Sequence, residues 1–486
     1  MILVAGWICL PVYAAANGFQ WAAVTPESQG MSTRQLQQLT DTLAAHGTTS
    51  LLVIRNDRII HEWYAPEWGP DRRHYSASLA KALVGGTSLL RALDEGVIYP
   101  DAPACYYIPG WKSHPQKSKI TVRQLATHTS GIEDAEPTEE EQQRLLEEGV
   151  SRTDIHMNLP GWKGIFWRKD PDPFTVSRDS APVLFTPGTD YAYSNPGMAM
   201  LSYAVTSALA RQDTVDIRTF LRQQIMEPIG IPEEAWSIGY GNTYDINGLP
   251  LVANWGGGSF TPRAVARLGR LMLNRGNWQG DQILSDTWVQ NAITYHGTAI
   301  PDRSGGDPVP ASGLCWYTNF DGVWREVPRD AFAGAGAGNQ VLLVVPSRNL
   351  IAVRMGDDLF EPGGDLTFWG ACEKYVFNPI MRAIVEPPYP ESEYITGVEF
   401  APTSAIVRQG EGSDNWPITW GDDDVLYTAY GDGWGFQPRT EIKLSLGLAG
   451  ITGNPPDFRG ENIRSESGER VGQGEHGPKA SGMLMV

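Results

Sequence analysis

The chain has 486 residues, 41% hydrophobic and 19% charged, which describes a folded protein of two or three domains and excludes a disordered one. A formal net charge of −18 argues against nucleic acid or an anionic membrane surface as partner. The 17 Trp and 53 Gly suit a substrate cleft or short strands joined by tight turns.

Residues 1–16 (MILVAGWICLPVYAAA) form an apolar run ending in small residues, and the first basic residue is Arg34. This is the hydrophobic and cleavage region of a secretory signal without its basic start, or else an apolar strand packed on the domain. A periplasmic or secreted protein is expected. No later apolar run is long enough to span a bilayer. Residues 51–54 (LLVI) and 59–63 (IIHEW) read as strands around the turn Arg55-Asn56-Asp57. Residues 78–96 read as a helix with Leu83, Leu89, Leu90 and Leu93 inward, and 121–127 as a second helical piece. Residues 138–148 read as a solvated charged helix, and 159–185, rich in Pro and Trp, as irregular structure lining something.

Helices are again expected over 196–210, where Pro196 suits a first turn, and over 263–274, basic on one side. VLLVV and LIAVRM then read as strands flanking the turn at 346–349. Strands at both ends with helices between give an α+β layout, one antiparallel sheet built from both ends and an inserted helical region. After Pro387-Pro388-Tyr389-Pro390 the texture changes to short strands with Gly, Asp and Trp turns. The expected division is a first domain over 17–390 and a β-rich module over 391–486. Cys9, Cys105, Cys315 and Cys372 have no metal-ligand spacing and read as buried thiols, so no zinc site is expected, and the serine, lysine and tyrosine chemistry set out below requires no metal or organic cofactor.

Three short segments carry chemistry. In Ser78-Leu79-Ala80-Lys81 a serine and a lysine three apart on one helix face can share a proton, which a serine needs before it can act as a nucleophile. At a helix start, the positive end also favours an alkoxide and lowers the lysine pKa. In Tyr191-Ala192-Tyr193-Ser194-Asn195, a tyrosine beside a lysine can have its pKa lowered enough to act as a base, and Asn195 can hydrogen-bond both Lys81 and a substrate amide. A second Y-x-N, Tyr317-Thr318-Asn319, falls in a strand and reads as structural. The third segment, residues 334–340, is a flexible Gly turn, or a strand entrance where substrate meets the backbone and an N–H completes an oxyanion hole.

In this order the segments resemble the serine β-lactamase and penicillin-binding superfamily, in its class C-like branch. That branch includes D-aminopeptidases, family VIII esterases and 6-aminohexanoate-dimer hydrolases. Residues 120–131 (ITVRQLATHTSG) and 256–263 (GGGSFTPR) are similar to its structural signatures, and the likeness covers about residues 25–385. The resemblance implies Ser78 as acylated nucleophile, with Lys81 and Tyr193 sharing base and acid work. Asn195 would orient Lys81 and substrate, and His128 would stay structural. Gly338, Asn339 and Gln340 are the implied substrate-binding segment, with the N–H groups of Ser78 and Gln340 as oxyanion donors. Aligned on Gln340, the chain has Ala337-Gly338-Asn339 where relatives carry Lys-Thr-Gly or His. A missing cation disfavours β-lactams and favours neutral or differently anchored esters and amides. Trp162, Phe166 and Trp167 wall an acyl pocket or fill the core.

Residues 414–436 (DNWPITWGDDDVLYTAYGDGWGF) resemble the first blade of a β-propeller related to glycoside hydrolases. Trp416, Trp420 and Trp434 then stack on sugars or fill a blade core, so carbohydrate is a second candidate partner beside a small ester or amide. Asp422-Asp423-Asp424 lacks a calcium-loop pattern and reads as a turn. A propeller needs several blades, so the chain is expected to be a fragment ending inside a strand.

Overall fold

The computed structural model describes residues 18–212, 215–360, 364–385, 402–472 and 476–484. The apolar leader at 1–16, with Cys9, and the expected boundary near 390 lie outside them. The chain divides into two compact units, Met1–Pro387 and Pro388–Val486.

In the first unit, strands β1 (Thr48–Arg55), β2 (Arg58–Tyr64), β3 (Ala311–Ser312), β4 (Tyr317–Thr318), β5 (Phe332–Gly336), β6 (Gln340–Val345) and β7 (Leu350–Gly356) make one sheet in the order β3-β4-β5-β6-β7-β1-β2. Every pairing is antiparallel, and β1 lies beside β7 with Leu51 opposite Arg354. The sheet is thus assembled from both ends of the unit, with the helical region inserted between. Asn56 and Asp57, both in the left-handed region, close the β1–β2 hairpin.

Both faces of the sheet are covered, which is why its strands read as unbroken apolar runs. Leu52, Ile54, Leu342, Val344, Ile351 and Val353 enter the larger core, while Leu51, Val53, Val341, Leu343, Leu350 and Ala352 enter the smaller one. Helix α1 (Thr33–Ala45) supplies Leu36, Leu39 and Leu43 to that smaller core. Behind the larger face lie α2 (Thr87–Asp94), α3 (Val122–Ala126), α4 (Glu139–Glu147), α5 (Gly161–Arg168), α6 (Pro173–Asp179), α7 (Asn195–Leu209) and α8 (Pro262–Leu273).

The irregular stretch expected over 159–185 is corrected to two short helices, α5 and α6. Asp172 caps α6 by accepting the N–H of Thr175 at 2.6 Å, and Pro173 occupies its first turn. The basic side of α8 clamps it to the sheet. Arg263 pairs with Glu62 and Arg270 with Asp57, each through two bonds of 2.7–2.8 Å.

The second unit holds a four-stranded antiparallel sheet of β8 (Ile418–Trp420), β9 (Leu426–Tyr430), β10 (Gly447–Thr452) and β11 (Arg459–Ile463), in chain order. Its small core comprises Tyr430, Phe436, Leu444 and Ala449, with Trp416 packed against it. Trp416 is thus part-buried against that core, whereas Trp420 is 62% exposed. Residues 481–484 carry no strand, so the expectation that the chain ends inside one is not met among the described residues.

Candidate active site

Ser78 sits in a tight 3₁₀ turn (Ala77–Leu79) that runs into a π-helical turn (Lys81–Gly86) and then into α2. A wide turn of this kind is uncommon and concentrates at functional sites. Ala77 enters with φ 44°, a left-handed conformation that a non-glycine residue holds only when its surroundings fix it. Three residues on, the Lys81 amine lies 3.0 Å from Ser78 Oγ. It also donates to Asn195 Oδ1 at 2.7 Å and to the Trp255 carbonyl at 2.9 Å. Tyr193 OH donates to Ser78 Oγ at 2.6 Å from the opposite side. Three side chains far apart in sequence thus meet at one hydroxyl.

Burial decides the protonation states. Lys81 is buried, and desolvation pulls its pKa down to about 7 against the opposing pull of Asp134 and Glu136. A neutral amine has two N–H donors and one lone pair. With Asn195 Oδ1 and the Trp255 carbonyl taking the donors, the lone pair is left for the Ser78 hydroxyl. Burial drives Tyr193 the other way, well above the ordinary phenol value, despite its bond to Ser78. The expectation of a tyrosine acidified by lysine is therefore reversed, and Tyr193 holds its proton at neutral pH.

Asn195 is itself oriented. Its backbone N–H and side-chain Nδ2 both donate to Asp134 Oδ1, at 2.8 and 3.0 Å, and Nδ2 reaches Glu136 Oε1 at 3.3 Å. These acceptors leave Oδ1 as the atom facing Lys81. Glu136 in turn meets His156 Nε2 at 2.5 Å. Asp134, Glu136 and the Trp255 carbonyl escaped the sequence reading. The first two lie in a loop without a recognisable motif, and a backbone carbonyl has no sequence signature. His128 is buried, with its pKa lowered to about 3 by desolvation and then by Lys81. Its Nδ1 accepts the Ser194 N–H at 3.2 Å and its ring lies against Tyr193, so it props the 191–195 loop.

Strand β5 forms the other wall. The Asn319 N–H donates to the Ala331 carbonyl at 2.9 Å, so alternate residues 331, 333 and 335 face β4. Strand β4 begins at Tyr317, opposite Ala333, and Cys315 turns away to the Ala126 carbonyl. The Ala335 N–H is thereby left facing the cleft near Ser78. A Cβ on Gly336 would lie 2.7 Å from Ser78 N and 2.4 Å from the Ser76 carbonyl, so only glycine lets β5 reach the nucleophile turn. Gly336→Ala is expected to push the strand away and to cut labelling of Ser78 by a fluorophosphonate probe on the order of 10²-fold. Labelling at the wild-type rate would refute this close approach.

The cleft that opens over Ser78 holds about 980 Å³, with Trp167, Tyr191, Tyr240, Trp255, Tyr317 and Trp369 among its walls.

The Beta-lactamase family profile matches residues 36–365. The chain belongs to the beta-lactamase family. The 6-aminohexanoate-dimer hydrolase of Paenarthrobacter ureafaciens is 24% identical over 357 residues, covering 72% of this chain and 82% of its own. The fold is shared with EstCE1, a hydrolase with promiscuous acyltransferase activity, at TM-score 0.53 and 14% identity over 74% of this chain and 99% of that one. It is shared also with a simvastatin synthase mutant of Aspergillus terreus, at TM-score 0.51 and 15% identity over 72% and 98%.

Within this beta-lactamase-family unit, the substrate-binding reading of Gly338, Asn339 and Gln340 is corrected. These residues close and brace the β5–β6 hairpin, and Ala335, Gly336 and Ala337 line the cleft instead. Asn339 is buried and bonds to the Phe368 carbonyl and Leu359 N–H, while Gln340 bonds to both the carbonyl and the N–H of Gly356. The Gln340 N–H therefore gives way to that of Ala335 as candidate oxyanion donor. Asn319 is structural, bonding to the carbonyls of Trp324, Val327 and Pro328, but Tyr317 lines the cleft. Phe166 lies in the core and Trp162 packs against it, whereas Trp167 stands in the cleft wall.

Proposed function

We propose that the protein is a serine hydrolase cleaving esters or amides through an acyl-enzyme on Ser78. The single observation behind this reading is the convergence of the Lys81 amine and the Tyr193 phenol on Ser78 Oγ, at 3.0 and 2.6 Å. Ser78 Oγ bonds to the substrate carbonyl carbon as its proton passes to Lys81. The N–H groups of Ser78 and Ala335 receive the oxyanion, an interaction worth roughly 3–4 kcal/mol per donor in other hydrolases. The tetrahedral intermediate then breaks its C–O or C–N bond as Tyr193 protonates the leaving group and is reprotonated from Lys81. Water adds to the acyl carbon by the reverse proton path, and Ser78 departs with its hydrogen restored. The family membership and the 6-aminohexanoate-dimer hydrolase relative support the same reaction class.

The side chains of β5 facing the cleft are uncharged, which counts against strong β-lactam turnover. An exported location rests on the apolar leader alone. A carbohydrate-directed second unit rests on Trp420, exposed on its outer strand. Short-chain p-nitrophenyl esters, nitrocefin and a D-amino-acid amide, run side by side with Ser78→Ala as control, test the reading. Esters or amide turning over fastest is expected. Faster nitrocefin turnover would make this a β-lactamase, and failure of a fluorophosphonate to label Ser78 would refute the acyl-enzyme.

A further inference from the structure

The cleft contains one ammonium group whose situation the chemistry at Ser78 leaves unused. Lys169 follows the last turn of α5, with φ 58°, a left-handed conformation that swings its side chain across the end of the helix. Its amine lies 4.3 Å from the centre of the Tyr240 ring and donates to the Trp167 carbonyl at 2.9 Å. Among the described residues it pairs with no carboxylate. It is half-buried, and desolvation alone lowers its pKa.

The other charged groups on the cleft wall are already engaged. Glu136 is held by Asn195 and His156, and Asp307 accepts the Thr367 hydroxyl at 2.6 Å. Tyr240, which carries Lys169 on its face, also sits at φ 56°, and a Cβ on Gly257 would lie 2.3 Å from its ring. Gly257 is two residues beyond Trp255, whose carbonyl holds Lys81, and the Tyr240 and Trp255 rings are 6.4 Å apart. The free ammonium is therefore fixed relative to the nucleophile through two packed rings, with two N–H donors unspent.

We propose that Lys169 is a substrate anchor, and that the preferred ester or amide carries a carboxylate on the part lying along the Tyr240 wall. A half-buried ammonium on an aromatic face gains more from an anion than an exposed lysine does, because little water competes. The assignment deepens the hydrolase reading and rests on it for the word substrate.

The test uses aryl esters bearing a carboxylate on the acyl chain or on the aryl group, each paired with its neutral methyl ester. Wild-type kcat/KM is expected to favour the carboxylate in one of the two series by about tenfold or more. Lys169→Met and Lys169→Asn, the second tolerating the left-handed backbone, should abolish that preference and leave neutral esters within about twofold, while Lys169→Arg keeps it. Binding of glutarate and adipate by calorimetry gives a readout that needs no turnover. If no ester is cleaved but a diacid binds and Lys169→Met weakens it, the anchor stands and the Ser78 reading falls. Equal rates for charged and neutral partners in both series, or diacid binding indifferent to Lys169→Met, overturns the anchor.

Discussion

Lys81→Met is expected to reduce ester hydrolysis on the order of 10⁴-fold or more, and Ser78→Ala with Lys81→Met together should cost little beyond either alone. The two residues act as one unit, because the lone pair of Lys81 is the destination of the Ser78 proton. Multiplicative losses in the double variant would show that they work independently. The wild-type pH profile carries the sign of the same argument. Lys81 must be neutral to accept a proton, and its pKa is lowered to about 7 by burial. The kcat/KM value should therefore rise with pH through about 7 and level off above it. Lys81→Arg, which keeps its proton throughout this range, should be inactive at every pH tested.

Tyr193→Phe is expected to cost about 10²- to 10⁴-fold in kcat, with the loss depending on the leaving group. The phenol donates to Ser78 Oγ at 2.6 Å and keeps its proton because burial opposes ionisation. A departing amine needs that proton, whereas p-nitrophenolate departs without one. A leaving-group series should therefore steepen in the variant, with amides and alkyl esters losing most. Equal losses across the series would reduce Tyr193 to a positioning residue.

What the sequence disclosed was the chemistry held in local spacing. Ser78 and Lys81 lie one helical turn apart, and Tyr193 and Asn195 flank the start of α7, which Pro196 marks, so both pairs could be read from short-range rules. Residues 334–340 could not be framed as easily. Five of the seven are Gly or Ala, with no side-chain pattern to mark where the strand stops. One usable signal was present, since Gly338-Asn339 is a turn dipeptide and both residues have positive φ. Weighing it would have ended the strand at Gly336 and moved the oxyanion reading to Ala335. The cap of α6 was similarly visible in Asp172-Pro173, but the Trp and Pro content masked it. Asp134, Glu136 and Lys169 reach the site only through tertiary packing, which no spacing rule encodes.

The position of β1 between β2 and β7 has a consequence for how the protein is made. Leu51 must wait for Arg354, some three hundred positions later on the ribosome, before its sheet neighbour exists. Until then β1 pairs only with β2, its other edge stays open, and neither face of the future sheet can close. Such late, distant pairing slows assembly and leaves an exposed strand edge through which unfinished chains can stick to one another.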